Sequence, residues 1–261
     1  MILPNTKKEK ELQKSGFEVI IGVDEVGRGP LAGPVVAGAA WVNPEILERD
    51  FEGRELIRDS KKLSEKQRNK IHTFIKKNGN FVLGIGEVSV EMIDKINILN
   101  ASLLAMRLAV DEVVEQVETC LPARQGQMSK PSIRRSRVKG EKPPIPPFAK
   151  KGMTPFTQEV VTSSFKACVL IDGNKKIQNL EMEQRLFAKG DQRIFSIAVA
   201  SIYAKVYRDK LMMKYHQEFP EYGFDKHKGY GTKFHLEQLN KIGACAIHRK
   251  SFAPVRNVLG K

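Results

Sequence analysis

Short runs of apolar residues bounded by glycine or polar residues predict β-strands in four parts of the chain. The first two runs, residues 17–23 and 34–42, are separated by several glycines, so we expect neighbouring strands joined by a tight turn. The other two runs cover residues 81–88 and 167–171.

Apolar residues that recur every three or four positions predict helices between and after these strands. One helix begins at Ser64, where Gln67 gives the capping-box spacing, and is closed by Gly79. Longer periodic segments predict packed helices at residues 99–117 and 194–215 and a short helix at 234–242. Together the elements predict an α/β fold with a mixed central β-sheet flanked by helices.

Two segments depart from this pattern. Residues 1–16 form a lysine-rich, basic N-terminal extension. Residues 121–155 contain seven prolines and nine basic residues against a single glutamate, which predicts a flexible, basic, Pro-rich insertion. An arm that touches nucleic-acid phosphates and a tolerated surface insertion explain this segment equally well.

The composition restricts the kind of partner more than the activity. Lysine and arginine outnumber aspartate and glutamate by 44 to 30, and the resulting net charge of +14 favours a polyanionic partner. The three cysteines, Cys120, Cys168 and Cys245, lie far apart and indicate neither a disulfide framework nor a zinc site. We find neither a signal peptide nor a run of membrane-spanning length, and therefore expect a cytoplasmic protein without membrane association.

Acidic residues follow two of the predicted strands. Asp24 and Glu25 come directly after the first strand, and Asp172 comes directly after the last. Mg²⁺ and Mn²⁺ prefer carboxylate oxygens, and two such ions can bind the attacking and leaving oxygens of a phosphodiester. Adjacent strand residues point to opposite faces, so both acids of the pair can contribute only if the backbone turns there. Gly22 and Gly27 favour such a turn.

Each acid also has an ordinary structural explanation. A carboxylate at a strand end often caps a turn. Asp191 lies just before the helix predicted from residue 194, where an N-cap is a strong alternative to a metal or water contact. Asp209 follows Arg208 within that helix, where a surface salt bridge is the simpler role, and we keep it outside the metal set.

The motifs of the chain, in their order, closely resemble those of ribonuclease HII, the type 2 ribonuclease H family. The longest is Gly-Val-Asp-Glu-Val-Gly-Arg-Gly-Pro-Leu-Ala-Gly-Pro at residues 22–34. The others are Asp-Ser-Lys-Lys-Leu at 59–63, Ile-Asp-Gly at 171–173, Lys-Gly-Asp at 189–191, Ala-Ser-Ile-Tyr-Ala-Lys-Val at 200–206, Arg-Asp at 208–209 and His-Lys-Gly-Tyr-Gly-Thr at 227–232. This ordered set spans most of the chain and is far more specific than any one motif.

The resemblance implies a ribonuclease H-like fold in which residues 17–261 form the catalytic domain, with a C-terminal helical and tail region. It implies an endonuclease that uses Mg²⁺ or Mn²⁺ to hydrolyse the RNA strand of RNA–DNA hybrids. It also implies incision 5′ of ribonucleotides embedded in duplex DNA, leaving 3′-hydroxyl and 5′-phosphate ends. We expect a monomer, and a contact with a replication clamp is left open.

Three other functions fit the sequence less well. A non-catalytic nucleic-acid-binding protein has no use for several acids facing phosphates, because they repel the ligand unless a metal intervenes. The sister type, ribonuclease HIII, carries an additional N-terminal domain and lacks the Gly-Arg-Gly turn. An ATP- or GTP-dependent enzyme of the P-loop class would need a phosphate-binding motif that the sequence lacks.

The resemblance assigns the catalytic residues one by one. The four acids of the family correspond to Asp24, Glu25, Asp172 and Asp191, which are expected to bind the metal and position the attacking water. Among these four, the expected metal ligands are Asp24, Glu25 and Asp172.

It also assigns the residues that bind substrate. Gly27, Arg28 and Gly29 correspond to a turn whose backbone can approach the ribose 2′-hydroxyl, since glycine has no side chain in the way. Tyr230 is expected to stack on the sugar across the RNA-to-DNA junction. Lys61, in a predicted polar loop, is expected to contact a phosphate.

Several other residues are harder to assign. Ser201 and Lys205 fall where the family has phosphate or structural contacts, and Lys205 is expected to do little more than border a helix. Tyr203 stands where we would expect a smaller aliphatic residue. The histidines lack metal-ligand spacing and are expected to be surface or turn residues; these are His227, His235 and His248.

Overall fold

The computed structural model describes residues 3–47, 54–120 and 165–260, so the insertion predicted at residues 121–155 lies outside the described residues. Its centre is a sheet of β1 (Val19–Val26), β2 (Val35–Val42), β3 (Phe81–Val88), β4 (Ala167–Asp172) and β5 (Glu183–Phe187). The strand order is β3-β2-β1-β4-β5. β2 pairs antiparallel with β1 and β3, whereas β4 pairs parallel with β1 and β5, which confirms the predicted mixed sheet.

Helices cover both faces of this sheet. The α-helices are α1 (Lys7–Lys14), α2 (Pro44–Leu47), α3 (Glu65–Lys77), α4 (Val90–Cys120), α5 (Phe195–Glu218), α6 (Phe224–His227), α7 (Lys233–Ile242) and α8 (Ala253–Leu259). Short 3₁₀ turns occur at Arg54–Leu56, Ser60–Lys62, Gly190–Gln192 and Pro220–Tyr222.

The sheet is buried between α4 and α5. Val19, Ile21 and Val23 of β1 belong to the hydrophobic cluster that includes α4. Ile20, on the opposite face, packs with Ile197 of α5. A strand that is covered on both faces needs apolar residues at every position, which explains the continuous apolar run at its start.

The predicted start of α3 is confirmed. The Oγ of Ser64 accepts from the backbone N–H of Gln67 at 3.2 Å, and the Gln67 side chain accepts from the Ser64 N–H at 2.9 Å. This reciprocal pair satisfies two N–H groups that a helix start otherwise leaves without partners. The helix ends at Lys77, two residues before the glycine expected to close it.

α4 begins earlier than the sequence pattern predicts. Its regular geometry is interrupted at Asn97, whose φ is 66°. The Oδ1 of Asn97 accepts from the N–H groups of Leu99 and Asn100, so this residue caps the long second part of the helix. That second part is the helix predicted at residues 99–117.

Two local predictions at the start of the sheet are wrong. β1 and β2 are joined by residues 27–34, an irregular connection that we call the glycine loop, and not by a tight turn. β1 also continues through Asp24 and Glu25, which pair with Gly38 and Ala37 of β2, so the backbone does not turn at the acids. Gly22 instead allows a close approach, because a Cβ there would lie 2.3 Å from the backbone of Ser196.

The N-terminal segment packs against the start of α5. Asn5 forms a parallel bridge with Ile194, and Glu9 of α1 is only 1% exposed. The Oε1 of Glu9 accepts from the backbone N–H and the hydroxyl of Ser196, both at 2.9 Å. α1 therefore supplies the cap that Ile194, the N-cap residue of α5, lacks. The residues predicted as a basic extension thus contribute to the packing of the domain.

We expect Glu9→Ala to lower the free energy of unfolding by about 1–3 kcal/mol, because two buried donors of Ser196 lose their acceptor. Glu9→Gln keeps an acceptor oxygen and should retain most of that stability. Glu11→Ala, at an exposed position of the same helix, is the control. Urea unfolding followed by circular dichroism measures all three, and a fully stable Glu9→Ala protein would contradict the capping role.

In the part of the chain that the structure describes, the helices are all too short or too polar to cross a membrane.

Candidate active site

The parallel pairing of β1 with β4 places two acids side by side. Val23 is the partner of Ile171, so Asp24 and Asp172 each follow by one residue on neighbouring strands. Ile171 belongs to the α4 side of the sheet, and the alternation of a strand turns the next residue to the α5 side. The same alternation places Asp24 on that side after Val23. Register alone therefore brings the two carboxylates together.

The third acid comes from the turn after β5. Lys189 adopts a left-handed conformation with φ 55°, and Gly190 and Asp191 follow in a 3₁₀ turn. The N–H of Gly190 donates to Oδ1 of Asp172 at 2.7 Å, which joins this turn to β4. One carboxylate oxygen from each of Asp24, Asp172 and Asp191 lies within 4.8 Å of the others. We call these three residues the acidic cluster.

The capping explanation for Asp191 is wrong. The N-cap of α5 is Ile194, and Asp191 lies in the preceding turn. Its side chain is buried, and its Oδ2 has no hydrogen-bond partner. A buried carboxylate oxygen without a donor is costly unless a cation is bound nearby.

The acidic cluster raises the pKa of its own members. Burial, followed by the negative charges of Glu25 and Asp172, holds the pKa of Asp24 well above its ordinary value, although a hydrogen bond from Ser201 opposes the shift. Burial and the charge of Asp172 also raise the pKa of Asp191. A divalent cation coordinated by these oxygens would remove the repulsion, so the residues present fit a Mg²⁺ or Mn²⁺ ion.

Glu25 is placed differently from the other predicted acids. It follows Asp24 within β1 and therefore points to the opposite face, and it is not a member of the acidic cluster. Its carboxylate pairs with Arg28 at 3.1 Å. Burial raises the pKa of Glu25, and Asp172 adds to that shift, whereas Arg28 opposes it. Glu25 therefore interacts with the cluster through its charge.

Lys61 is the cation that faces the cluster. Its ammonium lies 3.9 Å from Oδ2 of Asp191, and its side chain is 80% exposed. Desolvation lowers the pKa of Lys61, but the charges of Asp191 and Asp24 outweigh it and leave the pKa raised. Asp59 holds the turn, since its Oδ1 accepts from the Lys61 N–H at 2.9 Å. An exposed ammonium beside buried acids is well placed to meet a phosphate.

Two buried arginines hold the glycine loop, and we did not predict this role for either. Arg249 donates to the carbonyl oxygens of Gly27, Arg28 and Gly33. Arg208 donates to three further carbonyl oxygens, those of Ala32, Pro34 and Lys228.

Both arginine side chains are fully buried. Burial lowers the pKa of Arg208 to about 10 and that of Arg249 to about 9. Gly27 adopts φ 95°, and a Cβ there would lie 2.3 Å from Nε of Arg208. The shape of the loop therefore depends on glycine at this position and on the arginines beneath it.

Tyr230 lies beside the glycine loop. A Cβ on Gly29 would be 3.6 Å from Cε1 of Tyr230, and the tyrosine side chain is 44% exposed. The N–H of Leu31 donates to the Gly229 carbonyl at 2.8 Å, which ties the loop to the turn that carries Tyr230. The structure thus brings together the predicted residues Gly29 and Tyr230 on one exposed surface.

The prediction of surface or turn positions is wrong for two of the three histidines. His235 and His248 are 0% and 1% exposed, and their Nε2 atoms are 3.0 Å apart. His227 is the last residue of α6, is half-buried, and stacks on His235 with 4.5 Å between ring centroids. Spacing along the sequence could not reveal the burial of these histidines, because it results from contacts made in the folded chain. Tyr222 contacts His248, and Phe224 contacts His235.

These histidines predict a pH dependence of stability. Burial lowers the pKa of His235 and of His248 from 6.5 to about 4. Between these pH values the unfolded chain binds protons that the folded protein does not, so the free energy of unfolding decreases as the pH falls from 6.5 to 4. Urea titrations across this range should show a shallower decrease in His248→Gln.

The matched control is His216→Gln, a change of the same kind at a partly exposed histidine. In this control, the free energy of unfolding should decrease with falling pH as steeply as in the wild-type protein. Equal slopes in wild type and His248→Gln would contradict the prediction.

The other residues of the motifs at 200–206 and 208–209 contact neighbouring side chains of the fold. Asp209 is buried and pairs with Lys205 at 2.7 Å and Arg68 at 3.6 Å, so the salt bridge is present but is not on the surface. The hydroxyl of Ser201 lies 3.0 Å from that of Ser60, next to Lys61. Tyr203, the unexpected aromatic, stacks on His72 with 5.4 Å between ring centroids.

Solved structures of a ribonuclease H2 and of a ribonuclease HIII share this fold. The ribonuclease H2 from Pyrococcus horikoshii OT3 aligns with a TM-score of 0.55 at 21% identity, covering 92% of this chain and 96% of that one. Bst-RNase HIII in complex with Mn²⁺ aligns with a TM-score of 0.59 at 16% identity, covering 93% and 69%. These identities establish the fold alone, and the predicted ribonuclease H-like class is confirmed.

Sequence comparison narrows the class to one family. The Ribonuclease HII family matches residues 21–142 and 149–255. The Ribonuclease HII of Chlamydia caviae is 41% identical over 99% of this chain and 95% of that protein. The Ribonuclease HII of Leuconostoc mesenteroides is 38% identical over 96% and 76%. The chain belongs to the ribonuclease HII family.

Membership of this family confirms the predicted activity at a general level. The protein is a divalent-metal-dependent ribonuclease, a hydrolase that acts on RNA in RNA–DNA hybrids. Among the described residues, the acidic cluster offers carboxylate oxygens of the kind that a divalent metal ion binds.

Proposed function

We propose that the protein cuts RNA–DNA hybrids and also incises duplex DNA 5′ of an embedded ribonucleotide. The observation that carries this proposal is the meeting of three acids in the acidic cluster, one of them on the strand that leads into the glycine loop. Within that loop, Gly29 lies beside the exposed Tyr230. The acids supply the chemistry, and Gly29 with Tyr230 supplies a surface for one ribose.

Asp24 and Asp172 are the proposed metal ligands. Glu25, which follows Asp24 on β1, is proposed as a third. Mg²⁺ and Mn²⁺ both fit carboxylate oxygens, and the bound ion would polarise the phosphodiester and lower the pKa of a coordinated water. Glu25 would have to leave its pair with Arg28 to join the other two. Support for these assignments comes from the clustered oxygens of the two aspartates and the raised pKa of Asp24.

Asp191 and Lys61 are proposed to orient the reactants. The free Oδ2 of Asp191 can accept a hydrogen bond from the attacking water, and Lys61 can neutralise charge on the phosphate. Water attacks phosphorus in line with the bond between phosphorus and the 3′-oxygen. That bond breaks, and the leaving 3′-oxygen takes a proton. The products therefore carry a 3′-hydroxyl and a 5′-phosphate.

The glycine loop and Tyr230 are proposed to recognise the ribose. The backbone at Gly27, Arg28 and Gly29 can hydrogen-bond a 2′-hydroxyl, which DNA lacks. Tyr230 can stack on the adjoining sugar, since its ring is exposed beside Gly29. An all-DNA duplex should therefore stay intact under conditions that cut a duplex with one ribonucleotide.

One assay tests reaction, metal and substrate together. Duplexes with one ribonucleotide, a long hybrid strand or only DNA are incubated with Mg²⁺, with Mn²⁺ or with excess chelator, and product ends are mapped. We expect cleavage of the first two substrates with metal and none with chelator. Robust cutting of all-DNA would contradict the role of the 2′-hydroxyl, and cutting in chelator would contradict the metal site.

Contact with a replication clamp remains a proposal. It is supported by the RNase HII of Archaeoglobus fulgidus, solved in a complex with PCNA, which aligns with a TM-score of 0.57 at 18% identity over 93% of this chain and 97% of that one. We also propose a cytoplasmic monomer. Size-exclusion chromatography of the protein alone tests the monomer: a mass of 29.4 kDa is expected, and a dimer mass would contradict it. The same measurement with the sliding clamp of the same organism tests the contact: co-elution is expected, and separate elution at high concentration would contradict it.

A further inference from the structure

Two buried histidines connect the backbone of Tyr230 to the protein interior. Nδ1 of His235 lies 2.9 Å from the carbonyl oxygen of Tyr230, and Nε2 of His235 lies 3.0 Å from Nε2 of His248. Neither ring has a part in the reaction described above. A row of polar groups inside an aromatic cluster is costly to bury, so its hydrogen bonds must serve the fold or the site.

The donors at one end of this row fix where its protons lie. The backbone N–H of Cys245 donates to Nδ1 of His248 at 3.0 Å, so the neutral ring carries its proton on Nε2. Nε2 of His235 then has to accept that proton. The proton of His235 is consequently on Nδ1, from which it is donated to the carbonyl oxygen of Tyr230.

The turn that carries Tyr230 is held both by hydrogen bonds within it and by contacts from outside it. The Tyr230 N–H donates to the His227 carbonyl oxygen at 2.9 Å, and the Tyr230 carbonyl oxygen accepts from the Thr232 N–H at 2.8 Å as well as from His235. Lys228 and Gly229 adopt φ values of 51° and 87°, and no regular element runs from Gly229 to Gly231. The Tyr230 side chain is 44% exposed, so packing restrains only part of it. Hydrogen bonds to its backbone therefore contribute to the position of the ring next to Gly29.

We propose that His235 and His248 are positioning residues that fix the carbonyl of Tyr230 and thereby the distance between the tyrosine ring and Gly29. This inference rests on the proposed function, in which that gap receives the sugar at an RNA–DNA junction. Losing the donor at His235 would let the turn shift while the acidic cluster stays in place. A displacement of about 1 Å at a positioning contact can lower a rate by up to 10²-fold.

Two variants of His235 separate its two hydrogen bonds. In His235→Gln the amide reaches the position of Nε2, so it keeps the bond to His248 and removes the donor to Tyr230. In His235→Asn the amide stands at the position of Nδ1, so it keeps the donor to Tyr230 and removes the bond to His248. The two variants replace the ring with the same chemical group.

The measurement is kcat/KM on a duplex with one embedded ribonucleotide, divided by kcat/KM on a long hybrid. We expect His235→Gln to lower this ratio about tenfold and His235→Asn to keep it within about twofold. An unchanged ratio in His235→Gln would overturn the proposal. So would an equal drop in both variants, which is what general loosening of the fold would produce.

Tyr230→Ala distinguishes failure of this inference from failure of the proposed function. It should lower the same ratio by at least as much, and adding His235→Gln to it should cause no further loss. An unchanged ratio in Tyr230→Ala would remove the role of Tyr230 itself. A lowered ratio there, together with additive loss in the double variant, would overturn only the positioning role.

The tautomers can be measured in the wild-type protein, so the test does not depend on a variant that folds. Side-chain ¹⁵N NMR at neutral pH should place the proton of His248 on Nε2 and that of His235 on Nδ1. The opposite tautomer at either ring would contradict the direction of the hydrogen-bond chain and overturn the proposal.

Discussion

Asp24→Asn is expected to lower kcat/KM on a duplex with one embedded ribonucleotide by about 10³-fold, while its affinity for that duplex stays within about twofold. Asp24 shares the acidic cluster with Asp172 and Asp191, and an amide is a weak ligand for Mg²⁺ or Mn²⁺. Fluorescence anisotropy of labelled duplex measures binding separately from cleavage.

The same variant should be more stable than the wild type without metal. Burial and neighbouring carboxylates hold the pKa of Asp24 well above its ordinary value, so a negative charge on Asp24 destabilises the folded protein. An uncharged amide removes this destabilisation, and the thermal midpoint should rise at neutral pH. Added Mn²⁺ should stabilise the wild type and have less effect on the variant.

Asp225→Asn is the matched control, because Asp225 pairs with His216 and lies outside the acidic cluster. It should leave both cleavage and the response to Mn²⁺ unchanged. Undiminished cleavage by Asp24→Asn would refute the assignment of the active site. Loss of cleavage together with a lower thermal midpoint would instead indicate that Asp24 is mainly structural.

Arg249→Lys is expected to lower the free energy of unfolding by roughly 3 kcal/mol, although the charge is kept. The guanidinium donates to the carbonyl oxygens of Gly27, Arg28 and Gly33, and an ammonium cannot reach all three from one point. The side chain is fully buried, so water cannot replace the missing donors. Because the glycine loop is proposed to bind the ribose, cleavage at a single ribonucleotide should fall as well.

Arg256→Lys, an exposed position on α8, is the control for this substitution and should change neither quantity. Urea unfolding gives the stability, and the cleavage assay is run well below the unfolding transition. Arg249→Lys with wild-type stability would show that the loop holds its own shape.

The sequence predicted the mixed sheet and three acids that the structure brings together, but it did not predict that Glu25 lies outside the acidic cluster, nor every local detail. Asp24, Asp172 and Asp191 were predicted as partners from motif order, and the structure places them together. The tight turn after the first strand was wrong because Arg208 and Arg249, which are distant in sequence, hold residues 27–34 as an irregular loop. The fifth strand, β5, carries little apolar pattern and was missed.

The buried polar residues outside the acidic cluster were the least predictable. Arg249, His248 and Glu9 are polar, and a polar residue is expected at the surface unless its partners are known. Those partners are distant in sequence: Arg249 meets Gly27, and Glu9 meets Ser196. Only the folded chain reveals that these side chains are buried and what they contact.

The pairing of β1 with β4 has a consequence for the timing of activity in the cell. Glu18 and Lys166, at the start of that pairing, are 148 residues apart. The ribosome must therefore release most of the chain before Asp24 and Asp172 can become neighbours, and a one-residue slip in pairing would separate them onto opposite faces. Long-range closure of this kind is slow compared with helix formation. A nascent or misregistered chain would thus be harmless to the cell's RNA–DNA hybrids, and nuclease activity would report that the sheet has closed correctly.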